Sequence, residues 1–87
     1  MPKTMQSRKD LYWERVKAAH NADFRNLGDL RRKIIEVTNE EINRTTFEKV
    51  FYGILISGPK ATLIMKTTAK LVGKKVETLW PELKDVA

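Results

Sequence analysis

The segment from Ile42 to Gly53 constrains the fold more than any other part of the chain. Phe47, Val50, Phe51, Ile54 and Leu55 recur there at i, i+3, i+4, i+7 and i+8, which draws one apolar stripe along an α-helix. Thr45 has the chemistry of an N-cap, and Glu48 stands three residues on, where a capping-box carboxylate reaches back. The pattern predicts a helix over about residues 45–56. At 3.6 residues per turn, Thr45, Thr46, Lys49 and Tyr52 fall opposite the stripe, with Glu48 at the edge. Two hydroxyls, an ammonium and a phenol make that face a donor surface.

The same punctuation recurs along the chain. Ser7 with Asp10 predicts a first helix to about Asn21, with Tyr12, Trp13, Val16, Ala19 and His20 on one face. Asn26 with Asp29 predicts a second, Leu27 to Val37, whose stripe is Leu27, Leu30, Ile34 and Val37. Asp29, Arg32, Lys33 and Glu36 face away from that stripe. Ser57, Gly58 and Pro59 stop the third helix. A fourth runs from about Ala61 to Val72, with Ile64, Thr67, Thr68 and Leu71 inward. Gly73 ends it, and a short fifth helix, Val76 to Leu83, docks through Leu79 and Trp80. No alternating strand pattern competes, so the expected class is all-α with five helices. The expected organisation is one helical domain over residues 7–85 behind a flexible basic arm, residues 1–6.

One stretch reads two ways. Thr38 to Glu41 is itself a capping box, so a short helix could run from Asn39 to Arg44. Either the second helix is Leu27 to Val37 and a long turn precedes the third, or Leu27 to Val37 comes first in the pair and Asn39 to Arg44 is a truncated partner. The element lengths fit the first arrangement better. Both keep residues 46–56 as the exposed helix.

Eighty-seven residues make a single domain with a modest core. No apolar run approaches a membrane span, and the basic start lacks the apolar segment of a signal peptide, so a cytoplasmic protein is expected. The chain has no cysteine and a single histidine, His20, and neither a metal site nor another cofactor is expected. Gly-rich phosphate loops, a nucleophile with a partner histidine, and carboxylate clusters are all missing, and no enzymatic activity is expected. The net charge of +6 and a pI near 9.8 suit a phosphate-bearing partner.

Two stretches carry a resemblance. The wording from Ile42 to Gly53 is similar to the recognition-helix signature of small bacterial and phage repressors, closing glycine included. Thr68 to Pro81 is similar to the end of the same families, where a helix of the form I-A-x-x-L-G precedes a short one ending in L/I-W-P. Together they resemble the Cro/repressor (xenobiotic-response-element) superfamily, and within it the Ner-like regulators of transposable phages. The resemblance spans roughly Trp13 to Pro81. It implies a five-helix lambda-repressor-like helix-turn-helix domain that binds double-stranded DNA, as a homodimer, to regulate transcription. Arg44, Thr45, Thr46, Lys49 and Tyr52 are then the groove-facing candidates, since the first residues of a recognition helix reach base edges. Arg31, Arg32 and Lys33 on the preceding helix become candidate phosphate contacts. Lys60 is another, beside the fourth helix's amino end, where backbone amides favour anions.

The chain departs from that pattern in two places. Glu41 stands where the turn glycine belongs, and no alanine occupies the usual tight-packing position. Ile54, Leu55 and Ile56 make the following loop unusually apolar. These departures suit a different reading, a small phage-encoded helical protein that binds and inhibits or redirects a host protein. Fold alone does not decide between the two.

Overall fold

The computed structural model describes residues 8–85, and for 84 and 85 the backbone alone. The predicted arm over residues 1–6 and the Ser7 cap lie outside the described residues. Helices α1 (Arg8–Asn21), α2 (Leu27–Thr38), α3 (Arg44–Phe51), α4 (Pro59–Val72) and α5 (Val76–Leu79) are followed by a 3-10 turn, Pro81–Asp85. No strand occurs among the described residues, so the chain is all-α. Helix α4 is the centre of the assembly and packs on α1, α2, α3 and α5.

Local chemistry accounts for most of the helix ends. Asn26 caps α2 by accepting the Asp29 amide at 2.9 Å. Asn39 closes it in the left-handed region, φ 57°, which asparagine tolerates. Pro59 opens α4 at a position whose amide has no intrahelical partner, and Gly73, φ 74°, ends it.

Helix α3 departs from the sequence pattern at both ends. Its cap is Asn43, whose side chain accepts the Thr46 amide at 2.8 Å, so Thr45 lies inside the helix. It stops at Phe51, not Ile56, because Gly53 turns left-handed at φ 77°. The Gly53 and Ile54 amides then bond the Val50 and Lys49 carbonyls at 3.0 and 2.9 Å, a Schellman closure. Ile54 leaves the stripe and is 59% exposed, while Leu55 and Ile56 fold back against the core.

The helix read over Asn39 to Arg44 does not form, which removes the second arrangement. Thr38 turns its hydroxyl back to donate to the Ile34 carbonyl at 2.7 Å, and Asn39 to Asn43 form an irregular connection. The left-handed residue that a turn glycine would supply falls on Asn39, two positions before Glu41.

Two faces also differ. In α1 the buried side is Leu11, Arg15, Ala18 and Ala19, while Trp13 and His20 point outward. The aromatic spacing there outlines a surface, not the core. In α4 the buried set is Ala61, Ile64, Met65, Thr68 and Ala69, with Thr67 and Leu71 half-buried; in α2, Val37 is exposed. Leu79 and Trp80 do dock as expected, but α5 is only one turn long. Pro81 cannot donate, and it pushes Trp80 out of helical geometry to φ −123°, ψ 71°. Trp80 is fully buried.

Candidate nucleic-acid interface

The carboxyl end of α3 is held from two sides by buried donors. The Trp80 indole donates to the Val50 carbonyl at 2.8 Å, with its ring edge-on to Phe51 at 5.5 Å. Arg15, fully buried, donates to the carbonyls of Phe51 at 2.6 Å and Leu79 at 2.8 Å, and its third arm pairs with Glu82. The guanidinium carbon also lies 4.8 Å from the Trp80 ring centroid. Burial lowers the Arg15 pKa from its ordinary value, and the Glu82 carboxylate opposes that shift. Arg15 carries no sequence motif. Its one advance sign is position, since it interrupts the Leu11–Ala18–Ala19 stripe; Glu82 lies 67 residues away.

With its far end fixed, α3 presents Arg44, Thr45 and Lys49 to solvent, while Thr46 is half-buried. Arg44 reaches Glu48 one turn on, at 3.5 Å. The connection leading into α3 is braced from both neighbours. Arg31 donates to the Ile42 carbonyl at 2.8 Å, and Lys60 donates to the Glu41 carbonyl at 2.7 Å and lies 3.4 Å from the Glu40 carboxylate. Ile42 is buried between them. Lys60, read from sequence as a phosphate contact, therefore has structural work in this connection.

An open cleft of about 640 Å³ lies between α1, the start of α2 and the start of α3. Four arginines line it, Arg25, Arg31, Arg32 and Arg44, against the single carboxylate of Glu48. The structure thus brings Arg31, Arg32 and Arg44 to one place. Lys33 is outside the cleft and pairs with Glu36 at 2.9 Å. Arg25 is an addition that sequence reasoning missed as a contact, although it sits directly before the Asn26 cap. Asp29 anchors two of the four, Arg25 at 3.1 Å and Arg32 more closely. Hydrogen bonding from Arg25, joined by Arg32, holds the Asp29 carboxyl below the usual aspartate range.

Tyr52 lies on the α1 side of this surface. Its ring stacks on Tyr12 with centroids 4.2 Å apart and planes at 6°, and Trp13 meets Tyr12 edge-on at 5.4 Å. Burial, then the neighbouring Tyr52 and Glu48, raises the Tyr12 pKa above the ordinary tyrosine value. No family model, curated protein or solved structure matches the chain. No helix of the described residues is long and apolar enough to cross a membrane. No group of three or more His, Asp or Glu side chains among them is arranged to hold a metal ion.

Proposed function

We propose that this chain is a small helix-turn-helix regulator that binds double-stranded DNA, of the repressor-like kind carried by phages and mobile elements. Helix α3 is the reader. Arg44, Thr45 and Lys49 face base edges, where arginine or lysine bonds guanine and a threonine methyl meets that of thymine. Arg25, Arg31 and Arg32 take the phosphates flanking the groove. The observation that carries the reading is the convergence of Arg44, at the start of α3, with the α2 arginines on one cleft. The five-residue connection between α2 and α3 is longer than the usual turn, and the Arg31 and Lys60 braces give it a fixed course.

The test is binding of source genomic fragments over a salt series. One fragment is expected to bind tightly, with affinity falling steeply as salt rises. Arg32→Ala should weaken binding evenly and reduce the salt slope by about 1, whereas Lys49→Ala should erode discrimination between fragments. Equal binding to all fragments removes sequence-specific regulation, and absence of binding at low salt removes DNA binding altogether.

A second reading draws on Ile54, exposed just past the α3 closure. There the chain docks on a host protein through that apolar edge. Retention of one stoichiometric host protein from nuclease-treated lysate, lost on Ile54→Lys, favours this reading over the first.

A further inference from the structure

Three aromatic rings lie beside the arginine cleft: Tyr12 is half-buried against the core, and Trp13 and Tyr52 stand at the surface. Trp13 is 56% exposed and Tyr52 39% exposed, and Tyr12 joins them through the stack and the edge contact described above. Tyr12 is also a wall of the cleft. Ring surface and guanidinium surface are therefore continuous, and the ledge meets the cleft at a single residue.

A partner that covers both surfaces must offer a flat apolar face close to an anion. Base-paired DNA does not, because stacking hides its base faces and leaves only edges and phosphates. An unpaired nucleotide does. Its base presents a π-face to an aromatic side chain whatever its identity, and its phosphates lie one sugar away. The cleft side matches that chemistry. Besides the four arginines it includes Leu27 and Gly28, in the first turn of α2, where backbone amides lack intrahelical acceptors and favour an anion. Gly28 adds no side chain to obstruct the approach. Tyr12, with its raised pKa, remains a neutral phenol at physiological pH and does not repel phosphate.

We propose that the Trp13–Tyr12–Tyr52 ledge receives a nucleobase displaced from the duplex, with the adjoining phosphates in the arginine cleft. The protein then prefers DNA with unpaired bases over fully matched duplex. This inference rests on the cleft as a phosphate-binding surface, as in the proposed function, and does not require base reading by α3.

The experiment uses the full chain and fluorescein-labelled DNA at one salt concentration. It compares a matched duplex with the same duplex carrying a short bulge, for the parent, Trp13→Ala and Trp13→Phe. The parent should bind bulged DNA about tenfold more tightly than matched. Trp13→Ala should remove most of that preference while leaving the matched-duplex affinity in place, and Trp13→Phe should restore it. Trp13 emission should be quenched by bulged DNA and not by matched DNA. Equal affinity for both duplexes overturns the inference and leaves the proposed function standing. Absence of binding to either removes both. A Trp13→Ala variant that loses self-association in sedimentation, with the bulge preference intact, assigns the ledge to a second copy of the chain and overturns the inference.

Discussion

Gly53 and Glu82 compete for the same space, which makes this glycine more than a helix stop. Its φ of 77° already disfavours any L side chain, and a Cβ built there collides with the Glu82 carboxylate. That oxygen, Glu82 Oε2, is buried with no hydrogen-bond partner, while its twin is held by Arg15. Gly53→Ala is therefore expected to cost about 2 kcal/mol or more, of which the left-handed backbone accounts for roughly 1–2. Glu82→Ala in the same chain should relieve the collision but not the backbone strain. The two substitutions should then be non-additive by about 0.5 kcal/mol or more, read from urea denaturation at neutral pH. Simple additivity would mean that Glu82 swings aside and that only the backbone matters. The sequence signals this glycine only as the last residue of the repressor-like wording, because the apolar stripe runs past it to Ile54 and Leu55. It does not signal the carboxylate behind it, because the Arg15–Glu82 pair joins residues from opposite ends of the chain.

At the level of elements, the order of the helices was legible and their ends were less so. Apolar periodicity located α2 to α4, because each buries a stripe against its neighbours, whereas α1 was marked by its capping residues and its spacing outlined a surface. Where two local signals competed, periodicity alone chose wrongly. The stripe through Ile54 and Leu55 argued for a longer α3, yet the Schellman bonds at Gly53 satisfy the last carbonyls and prevail. The Thr45–Glu48 spacing points to Thr45 as the cap, yet Asn43 holds the bond. Asn43→Ala should accordingly cost about 1 kcal/mol in a thermal or urea melt. Thr45→Ala should stay within about 0.5 kcal/mol, as expected for an exposed helical position. A reversed ranking would return the cap to Thr45. At the start of α2, the depressed pKa of Asp29 sets a direction with pH. The ionised form is favoured in the folded chain, so its stabilisation is present above the ordinary aspartate pKa of about 3.9. It fades as pH falls below that and through the lower folded value. The melting gap between the parent and Asp29→Asn should therefore exist at pH 7 and close in the acid range. A gap that does not narrow as pH falls through the acid range would exclude the ion pairs with Arg25 and Arg32 as its source.

Across the whole molecule, the candidate surface was partly legible and its aromatic half was not. The basic runs were visible in the sequence, but which arginines share a cleft depends on how α1, α2 and α3 pack. Trp13, grouped from sequence with Tyr12, Val16, Ala19 and His20, is exposed because α1 turns a different face inward, one that includes the Arg15 charge. The same packing makes the carboxyl-terminal segment integral to the domain. Trp80 fills the space beneath Phe51, donates to Val50 and lies against Arg15, while Leu79 supplies Arg15 with a carbonyl. Removing a buried tryptophan side chain alone costs about 3–5 kcal/mol, against roughly 5–15 for an entire domain. A chain ending at Lys75 would also leave the Arg15 guanidinium without Glu82 and Leu79, and an unpaired buried charge is strongly destabilising. That truncation is expected to abolish cooperative unfolding and the native helical signal in far-UV circular dichroism. Trp80→Phe separates packing from bonding: it keeps a ring beside Phe51 but removes the indole bond to the Val50 carbonyl, which retains the Gly53 amide. It should fold cooperatively with a loss of about 0.5–1.5 kcal/mol from that bond. If the truncated chain instead melts cooperatively near the parent's midpoint, α1 to α4 form a self-sufficient domain, and the buried Arg15 network does not hold the end of α3.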